Sequence, residues 1–189
     1  MDTKKLVKKT RWYRRLHRWI ASALFLFFLV MGGTGLLLGW KKHSGGYLLA
    51  ETQKGSSRLP SDWLPIDSLA TKAIRALKTK EPGSTPVIDR MDVRPKQGIV
   101  KVIFEKGYQA VQLDAATGDV LLYETRRSDF IEHLHDGTIL DKLTGLTGGW
   151  LKLSYTTVLG LALLLLTVSG FWLWYNPRRL RKKKRAVRL

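Results

Sequence analysis

Four histidines and no cysteine define the metal chemistry open to this chain of 189 residues. The absence of cysteine excludes a thiolate metal site, a Cys nucleophile and a disulfide framework. His17 and His43 bracket a long apolar run, and His133 and His135 precede a second one. Imidazoles at the edges of such runs suit metal ligation or proton transfer, because polar groups near hydrocarbon are costly without a role. His133-x-His135 has the look of half a zinc site, but no third ligand has evident spacing. Asp129, Glu132, Asp136 and Asp141 concentrate acid around that pair. They can orient the imidazoles from behind or attract a cation, or simply form a solvated helix face. No Gly-rich phosphate loop, Ser-His-Asp set or nicotinamide fingerprint accompanies them, so no catalytic residue is assigned.

The elements that must position these side chains follow from charge and hydropathy. The net charge of +18 sits in two short tails. Residues 1–18 carry eight Lys/Arg and one Asp, residues 176–189 carry eight Lys/Arg and no acid, and the long middle is only +3. A nucleic-acid protein spreads basic residues over one folded face. Basic clusters abutting apolar runs instead hold chain ends on the cytoplasmic side of a membrane. The first run, Trp19 to Trp40, has 22 residues without a charge. Its length of about 33 Å as a helix crosses the hydrocarbon core. It is longer than a signal-peptide h-region and no Ala-x-Ala site follows, so it reads as an uncleaved anchor. The second run, Leu153 to Tyr175, has 23 uncharged residues and ends in an aromatic belt before Asn176-Pro177-Arg178-Arg179 stops it. Arg181–Arg185 beyond it serves retention. Two helices cannot enclose a pore, which excludes a channel built from one copy.

Between the spans the periodicity changes. Residues 44–60 are rich in Gly and Ser and read as a linker. Ile66, Leu69, Ala70, Ala73, Ile74 and Leu77 fall on one face of a helix over Ile66 to Lys78. Four strands follow: Val87 to Val93, with Val87, Asp89, Met91 and Val93 on one face, then Gly98 to Glu105, Tyr108 to Asp114 and Val120 to Tyr123. The third breaks strict alternation. The expected fold is an α+β membrane protein, with two transmembrane helices flanking a small extracytoplasmic domain made of one helix on a four-stranded antiparallel sheet. Its core of about 60 residues is thin.

Several stretches together resemble the PepSY-associated transmembrane family. They are Leu16-His17-Arg18-Trp19, Gly33-Thr34-Gly35-Leu36, Tyr108–Leu122 with its Asp-x-x-Thr-Gly-x-Val turn, Leu134-His135-x-Gly137, and Thr167-Val168-Ser169-Gly170-Phe171-Trp172-Leu173-Trp174. The resemblance covers nearly the whole chain and rests on the order and spacing of these motifs. It implies a PepSY-like domain at 61–125, preceded by a tail at 1–18, a span at 19–40 and a linker at 41–60. After it come a His-containing juxtamembrane segment at 126–150, a span at 151–175 and a tail at 176–189. Members of the family are linked to iron uptake. Its larger members look like haem-containing reductases of iron–siderophore complexes, with about twice as many spans. The PepSY module is also associated with regulation of secreted proteases.

That resemblance makes haem b the expected cofactor and a haem-dependent ferric reductase component the expected role. His17 and His135 are the favoured ligands of the haem iron, with His133 and His43 as further candidates. A b-type haem takes one or two axial His at one depth. His17 and His43 lie about 39 Å apart along a straight helix and cannot share an iron. His17 shares a helical stripe with Ala21, Phe28, Gly32, Gly35 and Gly39. The second span has a similar stripe of Thr156, Gly160, Leu163, Thr167, Gly170 and Trp174. These stripes can face each other, face a second copy, or admit a flat porphyrin. A homodimer or larger membrane complex would supply the missing His and form a four-helix bundle. The expected location is a bacterial inner membrane, with cytoplasmic termini, a periplasmic central domain and an iron–siderophore as substrate. The alternative is a non-enzymatic anchored module whose sheet docks a protease or another envelope protein.

Overall fold

The computed structural model describes residues 3–186, with side chains described from 7 to 178. The Arg181–Arg185 side chains and the outermost tail residues lie outside the described set. The chain forms two compact units: residues 1–35 with 133–189, and residues 36–132.

The first unit is built on two long helices, α1 (Thr3–Trp40) and α5 (Trp150–Ala186). Both are long and apolar enough to cross a membrane, and their apolar windows are only 6% and 17% buried. A helix of a soluble core would hide such a window, so this exposure fits hydrocarbon as the surroundings. The helices run antiparallel, as the pairs along them show. Thr10 meets Asn176, Tyr13 meets Trp172, His17 meets Ser169 and Phe27 meets Tyr155. The face that α5 turns inward is Tyr155, Leu159, Ala162, Leu166, Ser169, Leu173 and Asn176. Its alternating spacing of three and four is that of side chains interdigitating along a left-handed pair.

Of the places open to the glycine stripe of α5, it does not take the contact with α1. Thr156, Gly160, Leu163, Thr167 and Trp174 are exposed, and only Gly170 of that stripe joins the contact. In hydrocarbon a polar side chain must find a partner, so Ser169 and Asn176 fix the inward face, one residue round from the glycine stripe. The helix also continues through Pro177 to Ala186. The Asn-Pro-Arg-Arg sequence therefore ends the apolar run but not the helix. Two short helices, α3 (Arg127–His135) and α4 (Thr138–Thr144), precede α5.

The second unit holds α2 (Ile66–Lys80) and strands β1 (Ile88–Arg94), β2 (Ile99–Phe104), β3 (Gln109–Asp114) and β4 (Val120–Thr125) in an antiparallel meander. The helix and the four strands match the sequence expectation. Leu69, Ala73 and Leu77 of α2 bury themselves against Val100, Val102, Phe104, Val111 and Leu113. Truncating Leu69, which is fully buried, is expected to cost about 2–5 kcal/mol, read as a drop in thermal midpoint of the Leu69→Ala variant. In β1 a bulge between Ile88 and Arg90 resets the alternation. Ile88 and Met91 therefore pack on the core, while Val87 and Val93 of the expected face are exposed.

Every residue of β2, and β3 from Ala110 onward, is buried, which explains the broken alternation. The face away from α2 is covered by residues expected to be a linker. Gln53 N–H donates to Gln112 Oε1 at 3.0 Å, Gly55 N–H to the Gln97 carbonyl at 2.8 Å, and Ser56 N–H to Asp114 Oδ2 at 2.7 Å. The strap lies this close because Gly55 has no side chain, since a methyl there would collide with the Gly98 carbonyl. Burial alone would raise the Asp114 carboxyl. Hydrogen bonds from the Ala116, Ser56 and Thr117 backbones and the Ser56 hydroxyl outweigh it and hold it below its ordinary 3.8. The folded value is the lower one, so Asp114 stabilises the fold above pH about 4 and loses that contribution as pH falls through the folded value. Asp114→Asn is expected to lower the thermal midpoint at neutral pH, with the difference from wild type vanishing in strong acid.

Candidate functional site

His17 sits on α1 near the end of the hairpin that carries the chain termini. His135 is the last residue of α3 and meets α1 near its other end. The two are held in the same way. His17 Nδ1 lies 2.8 Å from Ser169 Oγ, and a methyl added to Gly170 would sit 3.5 Å from its Cε1. His135 Nδ1 lies 2.9 Å from Thr34 Oγ1, and a methyl added to Gly35 would sit 3.4 Å from its Cε1. Each imidazole thus edges onto a glycine and bonds the hydroxyl of the residue before it.

Both hydroxyls also contact a carbonyl of their own helix. Thr34 Oγ1 donates to the Val30 carbonyl at 2.6 Å, and Ser169 Oγ donates to the Leu166 carbonyl at 3.2 Å. A hydroxyl has one proton, which either the helix carbonyl or the imidazole can take. Where the carbonyl takes it, the oxygen accepts from Nδ1 and Nε2 is the ring nitrogen left open. Neither Nε2 has a hydrogen-bond partner among the described residues. Metal-ligating histidines are commonly fixed this way, with the second nitrogen's N–H held by a neighbour. Along α1, His17 and Thr34 are separated by about 26 Å, a distance close to the thickness of a hydrocarbon core, about 30 Å.

The other candidates are placed differently. His133 is two positions from His135 on α3, on the other side of that helix, so the two cannot serve one iron together. His43 is exposed in the single turn Lys41–His43 that follows α1. Three of the acidic residues have structural partners of their own. Arg126 Nε donates to Asp129 at 2.6 Å. Asp136 pairs with Lys152 and accepts the Thr138 N–H at 2.9 Å. Asp141 accepts the N–H groups of Leu151 and Lys152, both at 3.1 Å, which caps the start of α5. No group of three His, Asp or Glu that could hold a metal ion occurs among the described residues. Thr34 and Ser169 were not legible as histidine partners. The available signal is the repeated pair of a hydroxyl followed by glycine, Thr34-Gly35 and Ser169-Gly170.

Two apolar helices joined through a small α+β unit, with an imidazole held at each end of the pair, define a two-span membrane protein. The chain belongs to the family described as the PepSY-associated TM region, whose model matches residues 14–189. Comparison with curated proteins and with solved structures gives no match.

Proposed function

We propose that this membrane PepSY protein binds b-type haem through His17 and His135 and carries electrons across a bacterial inner membrane, supporting reduction of ferric siderophores in the periplasm. The observation that carries the reading is that each imidazole has its Nδ1 on a hydroxyl, at 2.8 and 2.9 Å, and no hydrogen-bond partner at Nε2 among the described residues. Haem b, when bound, supplies one-electron carriage. The residues fit it in kind, because a neutral imidazole with a free Nε2 is the usual protein ligand of haem iron. They fit it in number only if a second copy or another subunit supplies a matching histidine at each level.

The outward faces of the helices suit that assembly. A methyl at Gly32, Gly33, Gly39 or Gly160 would meet nothing within 4 Å, so these positions allow another helix to approach closely. Two copies would form a four-helix bundle with a pair of imidazoles near each face of the bilayer. Ser169 and Thr34 hold the rings in orientation, and the glycines under them leave room at the ring edge. In the expected topology the basic tails are cytoplasmic and the sheet unit is periplasmic, which puts the His135 level on the side where ferric chelates arrive.

Proteoliposomes test this. With an impermeant reductant enclosed and a ferric chelate outside, haem-loaded protein is expected to reduce the external iron, and haem-free protein to leave it ferric. Equal rates with and without haem would overturn the proposal.

A further inference from the structure

The second unit contains a cavity of about 450 Å³ that the electron-transfer reading does not use. That volume is within the range of small-ligand sites. Its walls are apolar: Leu37 from the last turns of α1, Leu48 from the strap, and Phe130 and Ile131 from α3. Tyr108 steadies the Phe130 ring edge-on, with centroids 5.7 Å apart. Leu37 belongs to the apolar run itself, three residues before Trp40.

The rim is cationic. Arg126 is already matched, bonded to Asp129 at 2.6 and 3.0 Å and lying 3.7 Å from Glu124. Arg127 is not. It is exposed, its guanidinium lies 4.3 Å over the Tyr47 ring, and one N–H reaches the Tyr47 carbonyl at 3.2 Å. The planar group is thus held in place with most of its five donors open. Lys41 stands close by in the chain, because its carbonyl accepts from Ser44 Oγ, which in turn accepts the N–H of Leu48 in the cavity wall. An apolar cavity lined by a membrane-span residue and rimmed by an ordered, unneutralised arginine has the chemistry of a lipid with an anionic head.

We propose that this cavity takes one anionic phospholipid, its acyl chain between Leu37, Leu48, Phe130 and Ile131 and its phosphate on Arg127. The site anchors the second unit to the membrane surface and is independent of haem.

The test uses the full chain in detergent, stripped of lipid, with phosphatidylglycerol or phosphatidylcholine added back and bound lipid counted by native mass spectrometry. Wild type is expected to keep one phosphatidylglycerol, preferred about tenfold over phosphatidylcholine, as suits a charge-assisted phosphate contact. Arg127→Gln is expected to erase the preference, and Thr125→Trp, which fills the cavity, to remove the bound lipid. Lys8→Gln, which deletes the same charge on α1, is expected to change neither. A diazirine-tagged phosphatidylglycerol on wild type should label residues 47–48 and 125–131. Equal retention of the two lipids, an equal effect of Lys8→Gln and Arg127→Gln, label confined to the tails, or displacement of phosphatidylglycerol by an equimolar quinone would each overturn the proposal.

Discussion

His135→Ala in the haem-supplied protein is expected to remove about half of the bound haem, His17→Ala the other half, and the double variant all of it. The expectation follows from the separation of the two imidazoles by about 26 Å along α1, too far to serve one iron. The hydroxyls sharpen it. Thr34→Val and Ser169→Ala leave each ligand present but remove the hydroxyl that holds its Nδ1, the kind of support whose loss typically weakens metal affinity about 10–100-fold. The effects should be site-selective, with Thr34→Val weakening the haem that His135→Ala removes and Ser169→Ala the one that His17→Ala removes. Haem content is read from the pyridine haemochrome of detergent-purified protein. Alanine at Gly35 or Gly170 is in ordinary contact with the ring and should be mild, whereas leucine should displace the imidazole.

The largest stability effect is expected in the sheet. Lys101 on β2 and Glu124 on β4 reach each other across β3, with Nζ and Oε2 3.1 Å apart and both side chains 1% exposed. Gln112 Nε2 lies between them and donates to Glu124 Oε2 at 2.6 Å. Removing one partner strands the other charge in a buried site, which costs about 3–5 kcal/mol. Glu124→Ala is therefore expected to speed hydrogen exchange of the β2 and β3 amides by about 100-fold or more, provided exchange there tracks unfolding of the unit. The double variant Lys101→Met with Glu124→Leu should recover most of the loss, because replacing a buried pair by apolar side chains is often close to neutral. Gln112 keeps the Glu51 carbonyl and Arg126 keeps Asp129, so neither is stranded by the double change.

The sheet network also shows what a sequence can and cannot reveal. The apolar spacing of Leu69, Ala73 and Leu77 marks α2, and β-branched runs mark the strands, because each signal depends on one local period. Lys101 within Val-Lys-Val reads as a solvent-facing position. It is buried because residues 51–56 cover that face, a contact between segments about 60 residues apart that no local period encodes. The β1 bulge escaped for a related reason, since an extra residue leaves composition unchanged while putting Ile88 on the same face as Met91. In the membrane pair, the glycine stripes suited either the partner helix or a second copy, and their spacing could not choose. The polar residues Thr10, His17, Ser169 and Asn176 set the seam instead, because hydrocarbon penalises an unpaired hydroxyl or amide more than it rewards a close backbone. The histidines themselves were legible as the candidate site. Their hydroxyl partners were not, since His17 and Ser169 are 152 residues apart and His135 and Thr34 are 101 apart.

The central claim is that two imidazoles present Nε2 to haem iron. The most direct measurement is the visible absorption and electron paramagnetic resonance spectrum of the detergent-purified full chain, expressed with haem supplied. A low-spin ferric signal with two nitrogen axial ligands, lost in the His17→Ala, His135→Ala double variant, is the expected result. A spectrum of free haem, or a low-spin signal that survives in the double variant, would contradict the account.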